Sequence, residues 1–123
     1  MKIKNILKQI GLMLIVVLVA TTIDYIVHSL NESFYVSFDY FTNKVIFATV
    51  WGIVGLFIFR NYIKNPTKLA IATSAFIAVV LQTKYFLQGY ALFFVFLFMF
   101  LHFLMFLVPS IPIFRKYSSL FIK

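Results

Sequence analysis

Residues 90–108 read YALFFVFLFMFLHFLMFLV, a run in which only Tyr90 and His102 carry a polar group. Phe recurs at every second position from 94 to 100, a spacing typical of a β-strand. A lone strand cannot satisfy its backbone groups in lipid, whereas a helix bonds its own. At ~1.5 Å per residue the run is long enough to cross the hydrocarbon core. The stretch therefore predicts a transmembrane helix.

The whole chain shares this apolar character. Of its 123 residues, 63% are hydrophobic and 11% are charged, whereas soluble domains carry about 25% charged residues. One small core cannot hide so much apolar surface from water, so we expect lipid to be the solvent. The net charge of +8 is spread between apolar segments without a nucleic-acid-binding motif, which argues against a nucleic-acid partner. The chain has no cysteine, which excludes disulfides and thiolate metal sites.

Charged residues divide the chain into four apolar segments, each close to the ~20 residues that a transmembrane helix needs. The predicted spans are 9–30, 41–60, 68–89 and 90–108. We therefore predict an all-α integral membrane protein with one domain, residues 1–123. Four transmembrane helices form a small bundle with short loops, and a basic interfacial tail follows at 109–123. In a three-helix alternative the last two spans merge, which would place the C-terminus outside.

The distribution of basic residues predicts the orientation in the membrane. Nine bases lie before span one, between spans two and three, or after span four, and four spans bring these regions to one side. The other side receives two bases, Lys44 and Lys84, and all three acidic residues. By the positive-inside rule both termini are predicted to be cytoplasmic, in the plasma membrane. A cleavable signal peptide is the alternative for the N-terminus, but the apolar pattern continues to Leu30 without a clear cleavage site.

Both ends of the chain are predicted to meet the inner membrane surface. The first ten residues, MKIKNILKQI, place apolar groups at helical spacing and predict an interfacial turn that leads into span one. Pro109 and Pro112 are expected to end span four, because proline interrupts the hydrogen bonds of a helix. The tail would then lie along anionic headgroups or, alternatively, fray. The expected headgroup contacts are Lys4, Lys8, Arg115 and Lys116.

Small side chains mark the faces on which spans two and three are expected to pack. Small residues allow the close backbone approach by which helices associate in lipid. Spans two and three are therefore predicted to form a tight antiparallel hairpin. The predicted packing positions are Ala48, Gly52 and Gly55 in span two and Ala70, Ser74 and Ala78 in span three.

Three ionisable residues, Asp24, His28 and Glu32, follow one another at intervals of four at the end of span one. They share one helix face, and Asp24 is the deepest. A charged Asp in the apolar layer costs about 2.5–3.5 kcal/mol unless it is paired, hydrated or protonated. Counting helix rises places Lys84 at the depth of Asp24, so an Asp24–Lys84 ion pair is the preferred prediction. Lys44 is the second candidate partner and matches the depth of His28 better.

The charges around Asp24 support two interpretations. They either hold the bundle in register or line an outward-facing polar cavity for protons, ions or anionic headgroups. The candidate members of this cluster are Asp24, His28, Lys84, Lys44 and Gln82, with Thr21, Thr22 and Thr83 as hydrogen-bonding neighbours. His102 is a separate candidate for an intramembrane switch, because it is expected about 9 Å deeper. That depth also makes a metal site with Asp24 and His28 a less favoured hypothesis.

Enzyme signatures are absent from the sequence, which contains no nucleophile elbow, P-loop or glycine-rich dinucleotide fingerprint. We therefore expect no cofactor and favour a non-catalytic accessory or scaffold subunit. The alternative is a small transporter, or a handler of lipid headgroups or lipid-linked substrates, that uses the cluster. Four short helices enclose little space, so we expect a homo-oligomer or a larger membrane partner.

Span one carries Gly11, Thr21, Thr22 and Asp24, and the end of span two carries Phe59-Arg60-Asn61. Through these residues, its size and its four spans, the chain partly resembles the GtrA-like proteins, which are associated with polyprenol-linked sugar transfer. The resemblance covers one motif in span one and a reduced form of the Asn- and Arg-rich signature after span two. It implies a role in handling lipid-linked glycans.

Overall fold

The computed structural model of the chain describes residues 3–122, and Met1, Lys2 and Lys123 lie outside it. Within that range all regular structure is helical, as predicted. Four long helices follow one another: α1 (Ile3–Ser29), α2 (Phe38–Phe59), α3 (Pro66–Leu87) and α4 (Leu92–Lys116). A 3₁₀ turn, Glu32–Phe34, lies between α1 and α2, and a short helix, α5 (Ser118–Phe121), follows α4. All four long helices are long and apolar enough to cross a membrane.

The helix ends are set by local signals that hydropathy alone does not reveal. The α3 helix begins at Pro66, whose missing N–H is harmless in the first turn, and the side chain of Asn65 accepts a hydrogen bond from the Lys68 N–H at 3.1 Å. The connection after α3 turns at Gly89, which has a φ of 91°. The α1 helix begins at Ile3, before the predicted start of span one at residue 9. The predicted interfacial turn is thus continuous with the first span.

The predicted stop of span four at Pro109 is wrong, because α4 continues through both prolines to Lys116. Each proline removes one backbone hydrogen bond, but packing against neighbouring helices offsets that loss in lipid. Next to Pro109, the Ser110 hydroxyl lies 3.4 Å from that of Ser74 on α3. Further on, Phe114 is fully buried and stacks on Phe121 with ring centroids 4.5 Å apart. The segment expected to be a surface tail is therefore largely part of the packed structure.

Neighbouring long helices run antiparallel, and α4 returns to lie against α1. Close contacts join α1 to α2, α2 to α3, α3 to α4 and α4 to α1. At one end of the structure, the Gln9 side chain of α1 donates a hydrogen bond to the Leu120 carbonyl of α5 at 2.6 Å. We call this end, which also holds the connection between α2 and α3, the basic end. The opposite end, with the α1–α2 and α3–α4 connections, is the acidic end.

The small residues of α2 and α3 are at buried positions, and both glycines of α2 lie against side chains of α3, Gly52 at Ile77 and Gly55 at Phe76. A Cβ added at Gly52 would lie 2.9 Å from the Met13 sulfur of α1, and one at Gly55 would lie 2.6 Å from the Phe76 ring of α3. The small face of α3 instead brings Ser74 to α4, whereas the prediction paired the two small faces with each other. Large side chains of α1 and α3 thus fill the space that the glycines leave. Ala48, Ala70 and Ala78 are buried as well.

Gly55→Ala is expected to destabilise the protein by about 1–3 kcal/mol, because the new methyl group overlaps the Phe76 ring. The matched control is Gly11→Ala in α1, where no atom of residues 3–122 lies within 4 Å of the added Cβ. This control should be neutral or gain up to about 1 kcal/mol from helix propensity. Reversible unfolding in detergent micelles measures both variants. Equal effects of the two substitutions would contradict the close approach at Gly55.

Candidate functional site

Four polar side chains, one from each long helix, meet in the interior near the acidic end. They are Asp24 on α1, Lys44 on α2, Gln82 on α3 and His102 on α4, and each is 0% exposed. We call these four residues, together with His28, the polar cluster. In α1 the positions 13, 17, 20, 24 and 28 recur at helical spacing and form the buried face. Asp24 and His28 are thus carried inward by the same face that buries Met13 and Ala20.

Lys44 lies at the centre of the cluster and contacts three acceptors. Its Nζ contacts Asp24 Oδ2 as an ion pair, donates to the Tyr40 hydroxyl at 3.1 Å and lies 2.7 Å from His102 Nε2. An ammonium group has three N–H donors, so all three are used. The ammonium also lies 4.2 Å from the centroid of the Tyr40 ring. A charge that would be costly in an apolar interior is thereby fully compensated by protein groups.

The protonation pattern of His102 follows from its neighbours. The Val95 carbonyl can only accept, so Gln82 must point its amide NH₂ toward it, at 2.6 Å. The Gln82 oxygen then faces His102 Nδ1 at 2.7 Å, and that nitrogen must carry the hydrogen. His102 Nε2 is left as the acceptor for the Lys44 ammonium. This chain of donors and acceptors fixes a neutral His102 with its hydrogen on Nδ1 while Lys44 is charged.

The second carboxylate oxygen of Asp24 faces both histidines. Asp24 Oδ1 lies 3.3 Å from Nε2 of His28 and 3.3 Å from Nε2 of His102. His28 lies one helical turn beyond Asp24, and its Nδ1 is in hydrogen-bond contact with the Phe34 carbonyl of the 3₁₀ turn. With both histidines neutral, the cluster contains one positive and one negative charge. Such a neutral network can remain in an environment of low dielectric.

The predicted Asp24–Lys84 pair is wrong, because Asp24 pairs with Lys44. Lys84 is partly exposed and holds its Nζ 4.6 Å from the centroid of the Phe47 ring. The depth estimate ignored direction: residues 82 and 84 are about 200° apart around a helix, so only one of them can point inward. Gln82 is the residue of α3 that enters the cluster.

The predicted threonine neighbours do not join the cluster as expected. Thr22 and Thr83 lie on exposed faces and bond carbonyls of their own helices at 2.9 and 2.8 Å. Thr21 is buried, but its hydroxyl has no hydrogen-bond partner within residues 3–122. Of the three, only Thr21 faces the interior.

His102 lies within the cluster, although its position along span four predicted a site about 9 Å deeper. The stack of His28 on Phe98, with ring centroids 4.5 Å apart, places the end of α1 beside the second turn of α4. The α4 helix thus begins about one turn further out than α1 ends. The depth estimate assumed that α1 ends and α4 begins at the same depth in the membrane. For this reason it placed His102 far from Asp24, although the two side chains are in contact.

Tyr40 and Tyr85 belong to the surroundings of the cluster and were not predicted. Tyr40 is four residues before Lys44 and Tyr85 three after Gln82, so helical periodicity places each on the inward face. Their rings stack with centroids 5.0 Å apart. The described residues contain no group of three or more His, Cys, Asp or Glu side chains arranged to hold a metal ion. The Lys44 ammonium is the cation that lies between Asp24 and His102.

Comparisons with known protein families, curated proteins and solved structures find no match for this chain. The partial resemblance to the GtrA-like proteins therefore gains no support from a family match.

Lys44→Met is expected to destabilise the protein by about 3–5 kcal/mol, because it leaves the Asp24 carboxylate buried without its counter-charge. The double variant Asp24→Asn/Lys44→Met removes both charges and should be more stable than Lys44→Met alone. Unfolding in detergent, analysed as a double-mutant cycle, measures the coupling between the two positions. Lys84→Met is the control lysine and should change stability by less than about 1 kcal/mol. Additive effects of the two cluster substitutions would contradict the pair.

Proposed function

We propose that this protein is a non-catalytic accessory or scaffold subunit of the plasma membrane. The observation that carries the proposal is that the polar cluster joins all four long helices, with every member at most 2% exposed. Its hydrogen bonds join α2 to α1 and α4 through Lys44, and α4 to α3 through His102 and Gln82. A buried polar network of this kind fixes the register of helices that apolar contacts alone would leave free to slide. A rigid four-helix bundle is a suitable platform for assembly with another membrane protein.

A transporter or handler of lipid-linked substrates is the alternative function, and the geometry favours it less. The expected cavity needed Lys84, Thr22 and Thr83 around Asp24. These three side chains lie on partly or fully exposed faces, away from the carboxylate. The Lys44 ammonium, which remains close to Asp24, already has three acceptors. Asp24 Oδ1 and His28 Nε2 have no hydrogen-bond partner within residues 3–122, but both residues are at most 2% exposed, so the centre offers no open site for a solute.

The proposed orientation places the basic end in the cytoplasm. Lys4, Lys8, Arg115 and Lys116 have exposed side chains at this end. Headgroups of the inner leaflet are anionic and attract such residues within a short distance of the surface. The proposed contact with acidic lipid therefore agrees with the positive-inside count of nine bases against two.

The proposed partner surface is the outer face of α4, formed by Phe93, Phe96 and Phe100. All three rings are largely exposed on this helix, and they point away from the polar cluster. In lipid a bulky apolar face gains no hydrophobic advantage from association, so its contribution would come from shape and close packing. A second copy of the chain or a larger membrane protein would supply the matching surface.

The orientation is tested with two matched tyrosines that are each 81% exposed, Tyr35 near the acidic end and Tyr62 near the basic end. The natural chain has no cysteine, so Tyr35→Cys and Tyr62→Cys each introduce a single thiol. In intact cells we expect a membrane-impermeant maleimide to label position 35 and to reach position 62 only after permeabilisation. The reverse labelling pattern would invert the proposed topology.

The accessory role predicts a defined neighbour beside α4 in native membranes. A photo-crosslinking amino acid at position 96 or 100 should yield an adduct of discrete mass. The same amino acid at position 98 should yield no such adduct, because the Phe98 side chain is 0% exposed and points into the structure. Mass spectrometry of the adduct distinguishes a second copy from a different protein.

The accessory proposal is wrong if the purified chain alone, in lipid vesicles, carries ions or protons faster than protein-free vesicles and Asp24→Asn abolishes that flux. This outcome would support the transporter alternative.

A further inference from the structure

Asp24 Oδ1 faces an acceptor nitrogen on each histidine, but His102 Nε2 accepts from Lys44, whereas His28 Nε2 has no donor within residues 3–122. The Phe34 carbonyl can only accept a hydrogen bond, so His28 Nδ1 must carry the hydrogen. In the neutral ring Nε2 is then an acceptor. That nitrogen faces Asp24 Oδ1, also an acceptor, at 3.3 Å. The contact is attractive only when a proton is added to the pair.

Neither acceptor atom is satisfied by another group. Within residues 3–122, Asp24 Oδ1 and His28 Nε2 have no hydrogen-bond partner, and both residues are at most 2% exposed. Buried polar atoms without partners are unfavourable. A proton on His28 Nε2 turns one acceptor into a donor aimed at a carboxylate, which makes a charge-assisted hydrogen bond. One proton therefore satisfies two buried atoms at once.

The remaining surroundings of the His28 ring also favour a cation. Phe98 stacks its ring face on the His28 ring with centroids 4.5 Å apart and an interplanar angle of 11°, whereas Tyr40 and Phe41 meet His28 in T-shaped contacts at 5.2 and 5.6 Å. Aromatic faces carry negative potential and attract cations. The ring thus has a carboxylate at Nε2, a carbonyl at Nδ1 and aromatic groups around it.

Other charged and titratable groups face the pair from each neighbouring helix. The α2 helix contributes Lys44, bound to Asp24 Oδ2, and Tyr40, whose hydroxyl accepts from Lys44. The α4 helix contributes His102, which reaches Asp24 Oδ1 at 3.3 Å, and α3 contributes Tyr85, stacked on Tyr40. Lys44 repels an added proton, and after proton binding the one Asp24 carboxylate faces both cations, Lys44 at Oδ2 and His28 at Oδ1. Binding one proton changes the cluster from neutral to a single positive charge.

A cavity lies against His28 at the acidic end. His28 lines a cavity of about 120 Å³ together with Tyr25, Ser29, Tyr35, Val36, Phe38 and Phe41. Tyr35 is largely exposed, so the cavity wall continues to the protein surface. Asp24 and Lys44 lie behind His28, away from the cavity. His28 is therefore the first group of the cluster that a proton from this side would reach.

We infer that His28 and Asp24 form a proton-binding site loaded from the acidic end, with Nε2–H donating to Asp24 Oδ1. The bound proton gives the imidazolium two strong acceptors, the Asp24 carboxylate and the Phe34 carbonyl, and so ties the 3₁₀ turn to α1. This property goes beyond an accessory role, because it makes the packing at one membrane face depend on the pH of that side. It requires no proton movement across the membrane.

The site is tested by ¹⁵N NMR of the full chain, labelled in histidine and held in lipid nanodiscs, during acidification. We expect His28 to show a protonated Nδ1 and an unprotonated Nε2 first, and then to gain a proton on Nε2. His28→Gln identifies its signals, because His102 is the only other histidine. His102 should keep its hydrogen on Nδ1 and serves as the internal reference. A His28 that stays neutral as long as the chain remains folded would overturn the proposal.

Two variants test the partners of the proton. Asp24→Asn should weaken proton binding to His28 at least about tenfold, because the charge-assisted bond is lost and the Asn amide can donate to Nε2 instead. Phe98→Leu keeps the carboxylate and removes the stacked ring, and it should weaken binding by a smaller factor. If Asp24→Asn fails to fold, Phe98→Leu still tests the proposal. Unchanged proton binding in the folded variants would mean that the cluster does not form the site.

Discussion

The charge of Lys44 has to be neutralised inside the protein, because the side chain is completely buried in a chain whose other interior groups are mostly apolar. Water cannot solvate it there, and lipid offers nothing in its place. Asp24 supplies the counter-charge, while Tyr40 and His102 take the remaining donors. This requirement determines which faces of α1, α2 and α4 point inward. Through His102 it also determines the orientation of Gln82 on α3.

The sequence was sufficient to predict the four helices and to identify Asp24 as the unusual charge. Length, hydropathy and the spacing of bases carry that information, since a transmembrane helix needs only a long apolar run. The choice of Lys44 over Lys84 was harder, because depth along a helix is known from residue counting and direction around it is not. Gln82 and Lys84 are only two positions apart on α3, yet Gln82 is buried and Lys84 is partly exposed. The relative positions of helix ends, which bring His102 to Asp24, depend on packing between elements distant in sequence.

The two prolines of α4 show a similar limit of local rules. In water, Pro109 and Pro112 would be a reasonable end for a helix. Here Pro109 is buried, the adjoining Ser110 lies against α3, and Phe114 and Phe121 are stacked in the interior. Tertiary contacts thus extend a helix that its own backbone hydrogen bonds would not sustain as well. The same contacts bring the region after α4 back to α1.

The hydrogen bond from Gln9 to Leu120 joins residues 111 positions apart. Membrane helices insert before they associate, so α1 enters the bilayer long before its partner segment has been synthesised. During that interval the Gln9 amide and the α1 face that later meets α4 must be covered by lipid, by headgroups or by another protein. The packing of α1 against α4 and α5 therefore forms only after α4 and α5 have been synthesised, whereas α1, α2 and α3 can associate before that.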